Sequence, residues 1–184
     1  NYIVGMVTNS SDNSLTVGST YVDYGSNLQA DAADLVYDTN NNKYVLLWET
    51  SSALKVSYAT VNSSNGNAGG EGGVTNLTSY HTFDAQLQYD PTNQVFVAAW
   101  GSNSDNRVKA RAFTFNGSAF TSGTEIASAY TGEVQERTAS DVDMYYNPDA
   151  NDFGFGYREN GNGYKFRLVR FQVSSGTTLI AVSY

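Results

Sequence analysis

Runs of apolar residues recur along the chain, and each is followed by a short polar turn. One run in each unit is apolar almost throughout, whereas the segment after it alternates apolar and polar positions, as in Val108–Ala112. A continuous apolar run bounded by turns is typical of a strand covered on both faces, and alternation is typical of a strand with one solvated face. No segment combines a 3.6-residue period with helix caps. The pattern predicts an all-β protein with very little helix.

Three segments of the chain align with one another around an anchoring tyrosine. The anchors lie 52 and 57 residues apart (89 − 37 and 146 − 89) and are Tyr37, Tyr89 and Tyr146. An aromatic residue follows eleven positions after each anchor, at Trp48, Trp100 and Tyr157. The chain has only two prolines, Pro91 and Pro148, and both stand two positions after an anchor. Self-similarity at a nearly fixed period predicts a repeat architecture.

Each unit contains four predicted strands, and turns rich in Asp, Asn and Pro join the first two. The segment Tyr2–Thr8 and the Asn-Ser-Ser after it align with the third strand and turn of a later unit. We therefore expect a partial blade with the last two strands at 1–28, and blades at 29–80, 81–130 and 131–184. Such units predict a β-propeller-like array of about three and a half four-stranded antiparallel blades. A β-sandwich is the alternative, but it does not explain the regular spacing.

The blade pattern also carries a resemblance to a known family. Its closest matches are Tyr89-Asp90-Pro91 with Trp100, and Tyr146-Asn147-Pro148 with Tyr157 and Ser175-Gly176-Thr177, whereas the first unit has Thr39 in place of proline. Across about residues 29–184 the chain resembles the tandem propeller repeats of marine bacteriophage and marine bacterial surface proteins. The resemblance implies a non-catalytic module on a virion or cell surface. Its implied role is structural or adhesive, with receptor or glycan binding, as in phage fibres.

Charge and composition narrow the expected partners. The formal net charge is −8, which disfavours the phosphate backbone of nucleic acids and anionic lipid surfaces. No apolar run is long enough to span a membrane. There is no cysteine, and the single histidine, His81, excludes a two-histidine metal site. The expected partners are other protein chains or further blades of a longer chain, together with surface glycans.

Acidic residues cluster near the first predicted strand of each unit. Asp34, Asp84 and Asp143 enter this strand, and Asp31 and Asp141 lie close to it. The first strand of a propeller blade is innermost, so these carboxylates would line the central channel. Two carboxylates about 5 to 9 Å apart can hydrolyse a glycosidic bond. A carbohydrate-active hydrolase is therefore the alternative function, and a ring of structural or cation-binding aspartates is the other interpretation.

Two further groups have both a binding and a structural interpretation. The recurring aromatic residues Trp48, Trp100 and Tyr157 could stack on sugar rings, or they could fill the space between blades. The alternating oxygens of Asp38, Asn40 and Asn42 could bind Ca²⁺, or they could bond to the backbone of their own turn. No cofactor is expected, and calcium at this turn is the alternative.

Overall fold

A computed structural model describes residues 2–8, 15–23, 33–102, 104–105, 107–128, 143–158 and 166–182. All regular secondary structure in these ranges is strand, and every strand pair is antiparallel, which confirms the all-β prediction. In the described part of the chain we find no helix with the length and apolar character needed to cross a membrane.

The strands are β1 (Tyr2–Thr8), β2 (Leu15–Asp23), β3 (Ala33–Asp38), β4 (Lys43–Thr50), β5 (Ala53–Val61), β6 (Ala68–Asn76), β7 (Thr82–Asp90), β8 (Val95–Ser102), β9 (Arg107–Phe115), β10 (Phe120–Ser122), β11 (Ile126–Ala127), β12 (Asp143–Asn147), β13 (Asp152–Arg158), β14 (Phe166–Ser175) and β15 (Thr178–Val182).

The strands form four sheets, and each sheet uses consecutive strands. We call β1–β2 the partial sheet, β3–β6 the first sheet, β7–β11 the second sheet and β12–β15 the third sheet. The first and third sheets follow chain order from one edge to the other. In the second sheet, two short strands, β10 and β11, both pair with β9 in place of a single fourth strand. Neighbouring strands are therefore joined by short connections, as in a meander.

The turn between the first two strands has the same backbone geometry in the three larger sheets. Its last residue has a positive φ of 54°, 56° or 50°, at Asn42, Gln94 and Asn151. Four positions earlier, the side-chain Oδ1 accepts backbone N–H groups of the turn, at Asp38, Asp90 and Asn147. Asn tolerates the left-handed conformation well because its short polar side chain bonds locally, whereas Gln94 has no such advantage. The Asx chemistry expected from the sequence thus forms these hairpins.

The core lies between the sheets, and the second sheet is buried on both faces. All eight residues of β8 are buried, in agreement with the uninterrupted apolar run. Alternate residues of this strand point to opposite faces. Phe96, Ala98 and Trp100 form a cluster with Val45 and Leu47 of the first sheet. Their neighbours on the other face cluster with the third sheet, and these are Val95, Val97 and Ala99, which lie with Phe153, Phe155, Tyr157, Val169 and Phe171.

The first strands of the three larger sheets lie side by side. β7 lies next to both β3 and β12, so one edge of the stack consists of these three strands. The aspartates singled out in the sequence belong to this edge, since Asp34, Asp84 and Asp143 lie on β3, β7 and β12. Asp31 and Asp141 are outside the described residues.

Candidate functional site

Asp34 connects two neighbouring first strands. Its Oδ1 accepts the backbone N–H of Leu35 at 2.7 Å, and its Oδ2 accepts the backbone N–H of Leu87 on β7 at 2.7 Å. Both carboxylate oxygens are therefore hydrogen-bonded to main chain, one in the first sheet and one in the second. This geometry makes Asp34 a bridge between sheets.

Asp84 lies in a β-bulge and differs from the other two aspartates. Its φ is 55°, and the register of β7 against β8 shifts between Phe83 and Gln86. Burial raises the pKa of the Asp84 carboxyl to about 6. A carboxyl that titrates near neutral pH can donate or accept a proton, so Asp84 has the property that acid/base chemistry requires.

The bulge around Asp84 is held from the first sheet by Glu49, a residue that the sequence did not suggest. Glu49 is only 1% exposed, and its Oε1 accepts the Ala85 backbone N–H and the Thr82 hydroxyl, both at 3.1 Å. A glutamate at the end of an apolar run, inside β4, was the only available signal. Its partners lie more than 30 residues away, and no local pattern identifies them.

Asp143 is exposed and repeats half of the Asp34 arrangement. Its Oδ1 accepts the backbone N–H of Met144 at 2.8 Å. The three predicted carboxylates are thus distributed over three adjacent strands. Asp34 and Asp143 bond main-chain amides, and burial raises the pKa of Asp84.

The first and second hairpin turns also contact the anchoring tyrosine of the next sheet. The Tyr89 hydroxyl donates to Asp38 Oδ1 at 3.0 Å, and Asn40 Nδ2 donates to the Tyr89 hydroxyl at 2.8 Å. Burial and the hydrogen bond to Asp38 raise the pKa of Tyr89 to about 12. Burial and a hydrogen bond to Asp90 likewise raise the pKa of Tyr146 to about 12. Two of the three recurring anchors, Tyr89 and Tyr146, therefore join neighbouring sheets.

The calcium candidates are part of this contact. Asp38 is 1% exposed, and its second oxygen accepts Asn41 Nδ2 at 2.7 Å. Asn42 Oδ1 accepts the hydroxyl of Tyr37 from the same hairpin. Among the described residues, no group of three His, Asp or Glu side chains is placed to hold a metal ion. The geometry favours the backbone-bonding interpretation for Asp38, whereas the side chains of Asn40 and Asn42 bond tyrosine hydroxyls. Calcium binding at this turn stays a prediction.

The recurring aromatic residues are buried, and the structure exposes different rings. Trp48, Trp100 and Tyr157 are 3%, 0% and 1% exposed, so they offer no open ring face to a sugar, and the packing interpretation is favoured. Trp100 Nε1 also donates to the Tyr80 hydroxyl at 3.2 Å. The exposed large apolar side chains of the first and third sheets are Leu35, Tyr37, Val74, Tyr145, Phe166, Leu168 and Ile180.

The exposed face of the third sheet has a distinct construction. Two glycines of β13, Gly154 and Gly156, lie on this face beneath aromatic rings. A Cβ on Gly154 would lie 2.0 Å from the Tyr145 ring. A Cβ on Gly156 would lie 2.7 Å from the Phe166 ring. Both aromatic side chains therefore lie across the sheet over glycine. A buried carboxylate, Asp152, forms an ion pair with Arg170 on the neighbouring strand.

A shallow cavity of about 170 Å³ lies between the second hairpin turn and the end of the third sheet. Its lining residues are Asn93, Val95, Asn151, Val173, Ser174, Ser175 and Gly176. None of the predicted catalytic, aromatic or calcium-binding residues lines it.

Comparison with known proteins adds no assignment, since no family model and no curated protein matches this sequence.

Proposed function

We propose that the chain is a β-propeller-type module with a partial blade at 1–28 and blades at 29–80, 81–130 and 131–184. Two features support this architecture. The larger sheets consist of consecutive antiparallel strands, and their first strands lie side by side, as innermost strands of adjacent blades do. In a β-sandwich each sheet has one covered face. The second sheet here is covered on both, which favours the propeller.

The module that we propose is non-catalytic and acts on a virion or cell surface. Its role is structural or adhesive, with receptors or glycans as ligands and other protein chains or further blades as partners. The observation that carries the non-catalytic role is Asp34, whose two oxygens are bonded to amides of two strands. The surface location depends on the resemblance of the Tyr-Asp-Pro units to phage and bacterial repeats. The net charge of −8 supports neutral rather than anionic ligands.

A specific observation favours the second candidate, a carbohydrate-active hydrolase. Asp84 has a pKa of about 6 and lies on the same strand edge as Asp34 and Asp143. Glycosidases use one carboxyl with a raised pKa as the acid and a second, ionised one as base or nucleophile. In this candidate Asp84 is the proton donor, and Asp34 or Asp143 is the base or nucleophile.

One experiment separates the two candidates. The wild-type chain and the variants Asp34→Asn, Asp84→Asn and Asp143→Asn are tested for binding on a glycan array and for release of reducing ends from a polysaccharide panel. We expect no turnover by any of them and the same glycan binding by all. Turnover by the wild type that disappears in Asp84→Asn would instead establish the hydrolase. Asp149→Asn, in an exposed turn, is the matched control.

A further inference from the structure

The cavity between the second and third sheets lies where a lysine side chain lies between the first and second sheets. The two hairpin turns end at Asn42 and Gln94, which both have a positive φ, so the next residues, Lys43 and Val95, occupy equivalent positions. Lys43 bonds the second sheet, whereas Val95 lines the cavity next to the third sheet. The first interface therefore shows which chemical group fits at this place in the repeat.

Lys43 is held in the first interface by a carbonyl oxygen and two aromatic rings. Its Nζ donates to the Gly117 carbonyl, in the turn after β9. The same Nζ lies 4.1 Å from the centroid of the Tyr58 ring and 5.7 Å from that of the Phe115 ring. Carbonyl oxygens and ring faces carry partial negative charge, so both attract an ammonium group. This space between two sheets thus binds an alkylammonium through these neutral groups.

The third sheet offers similar groups to the cavity. The strand pairings align β14 with β9, so that Val173 takes the position of Phe115. The next turn, 174–176, lines the cavity in the way that the turn at Gly117 meets Lys43. This turn supplies backbone carbonyl oxygens and two serine hydroxyls, which can all accept a hydrogen bond from an ammonium group.

The cavity arises because two long side chains of the first interface are short in the second. Val95 stands in place of Lys43, and Ala112 stands in place of Tyr58, as the pairing of β8 with β9 and of β4 with β5 shows. The resulting volume of about 170 Å³ accommodates a short alkyl chain that ends in one ammonium group.

The polar wall of the cavity favours a cation and is open to solvent. Asn93 and Asn151 both line the cavity, and Asn93 Nδ2 donates to Asn151 Oδ1 at 3.3 Å. The acidic side chain of Asp90 is buried, and its Oδ2 accepts a hydrogen bond from the same Nδ2 at 2.5 Å. An acidic group beside the cavity favours a cationic over an anionic ligand, as does the net charge of −8. Asn93 and the turn 174–176 are exposed, so a ligand can enter from solvent.

We propose that this cavity binds a primary alkylammonium group, at the place that Lys43 occupies in the first interface. Val95 and Val173 contact the alkyl chain, and oxygens of the turn 174–176 accept the ammonium protons. A free amine and the lysine side chain of another protein share this chemistry. The proposal goes beyond the surface role proposed above and does not depend on it.

Titration of the isotope-labelled chain with n-butylammonium, the lysine side chain as a free molecule, tests the site by NMR at constant ionic strength. We expect saturable shifts of the backbone amides of Ser175 and Gly176 and of the side-chain amide of Asn93. The dissociation constant should be on the order of 1 mM, because the ligand has few atoms. n-Butanol has a similar length and no charge, and it should bind about fivefold more weakly.

A variant that fills the cavity should abolish binding. Val95→Lys places a tethered ammonium group there, and the n-butylammonium shifts at Ser175 and Gly176 should disappear. Val74→Lys makes the same substitution at a residue that is 59% exposed, and it should bind n-butylammonium like the wild type. If Val95→Lys does not give the circular dichroism spectrum of the wild type, Val95→Met replaces it, since an uncharged chain of similar length should also block the cavity.

The reverse change at the first interface is an independent test. Lys43→Val removes the tethered ammonium group and should lower the melting temperature. n-Butylammonium should restore part of this loss, whereas n-butanol should not. The rings of Tyr58 and Phe115 lie at this place, so binding of n-butylammonium here should be about threefold tighter than in the natural cavity.

A capped lysine, Nα-acetyl-lysine methylamide, distinguishes the two sources of the ligand. Shifts at Ser175 and Gly176 with both n-butylammonium and the capped lysine support a lysine side chain of another protein. Shifts with n-butylammonium alone support a free amine.

Three results overturn the proposal. The first is the absence of saturable shifts at Ser175 and Gly176 well above the expected dissociation constant. The second is equal affinity for n-butylammonium and n-butanol, which would show that the cavity does not recognise the charge. The third is unchanged binding of n-butylammonium by a folded Val95→Lys or Val95→Met variant, which would place the ligand elsewhere.

Discussion

The second and third sheets share the order of their first three strands and the same hairpin turn, yet their surfaces differ. The second sheet has a neighbour on both sides, and its central strand consists of apolar residues, Trp100 among them. The third sheet has one covered face, and on the other it carries glycines, exposed rings and the Arg170–Asp152 ion pair. The repeat thus conserves the hydrogen-bonding frame, while the side chains between the strands adapt to what lies against each face.

The largest effect that separates the two sheets should come from their aromatic side chains. Trp100→Ala removes a fully buried ring between the first and second sheets and should lower the free energy of unfolding by about 3–5 kcal/mol. Phe166→Ala removes a ring that is 71% exposed, and its cost should stay near 0.5 kcal/mol. Urea unfolding followed by circular dichroism measures both. Equal losses would contradict the difference between the covered and open faces.

A smaller difference in the free energy of unfolding should separate a tyrosine that bonds a neighbouring sheet from one that bonds only its own hairpin. Tyr89→Phe removes a hydrogen bond to the Asp38 carboxylate between two sheets and should cost about 1.5 kcal/mol. Tyr37→Phe removes only a bond within its own exposed hairpin, so the monomer should lose less than about 0.5 kcal/mol. The comparison uses urea unfolding at a protein concentration where the chain is monomeric. If Tyr37→Phe loses as much free energy of unfolding as Tyr89→Phe, the hydrogen bond between sheets contributes no more to stability than the bond within a hairpin.

The smallest effect concerns the aspartates of the two sheets and depends on pH. The folded-state pKa of Asp84, about 6, lies above its ordinary value of 3.8, so the folded chain binds this proton more tightly than the unfolded chain does. Its contribution favours folding below about pH 4 and is lost as the pH rises through 6. Relative to the wild type, the free energy of unfolding of Asp84→Asn should therefore be about 1 kcal/mol more favourable at pH 7 than at pH 4, allowing for solvent screening.

The exposed Asp143 provides the control for this pH dependence. Asp143→Asn makes the same chemical change at an exposed position, and the relative gain between pH 4 and pH 7 that we expect of Asp84→Asn is measured against it. Thermal melts of the wild type and both variants across this pH range give the comparison. If the melting temperatures of the wild type and of Asp84→Asn change with pH in parallel, Asp84 does not cause the pH dependence of stability.

Features that depend on neighbouring residues could be predicted from the sequence. The Asp-Pro and Asn-Pro turns, the strand order and the all-β class follow from local chemistry and from the repeat of Tyr37, Tyr89 and Tyr146. Burial of the tryptophans was one of two open interpretations, because an apolar strand does not reveal what faces it. A shift of the strand pairing by one residue moves a ring to the other face of the sheet. The sequence alone does not determine that pairing.

Contacts between distant residues could not be predicted. Glu49 supports the bulge at Asp84 across two sheets, and nothing near either residue indicates the pairing. The same holds for Asp152 and Arg170, which replace Val95 and Ala112 of the preceding unit at matching strand positions. An apolar pair and an ion pair can occupy the same positions in two sheets. The choice between them depends on what packs against that face of the sheet, and the local sequence does not show this.

The use of consecutive strands in every sheet has a consequence for synthesis on the ribosome. When β6 emerges, every strand of the first sheet has already left the tunnel, and its hydrogen bonds can form before the next sheet is translated. The edge of each strand that pairs with its successor is thus exposed to other nascent chains only for the time needed to translate the next strand. The order of translation is also the order of stacking, so each newly made sheet meets a finished surface on which to fold.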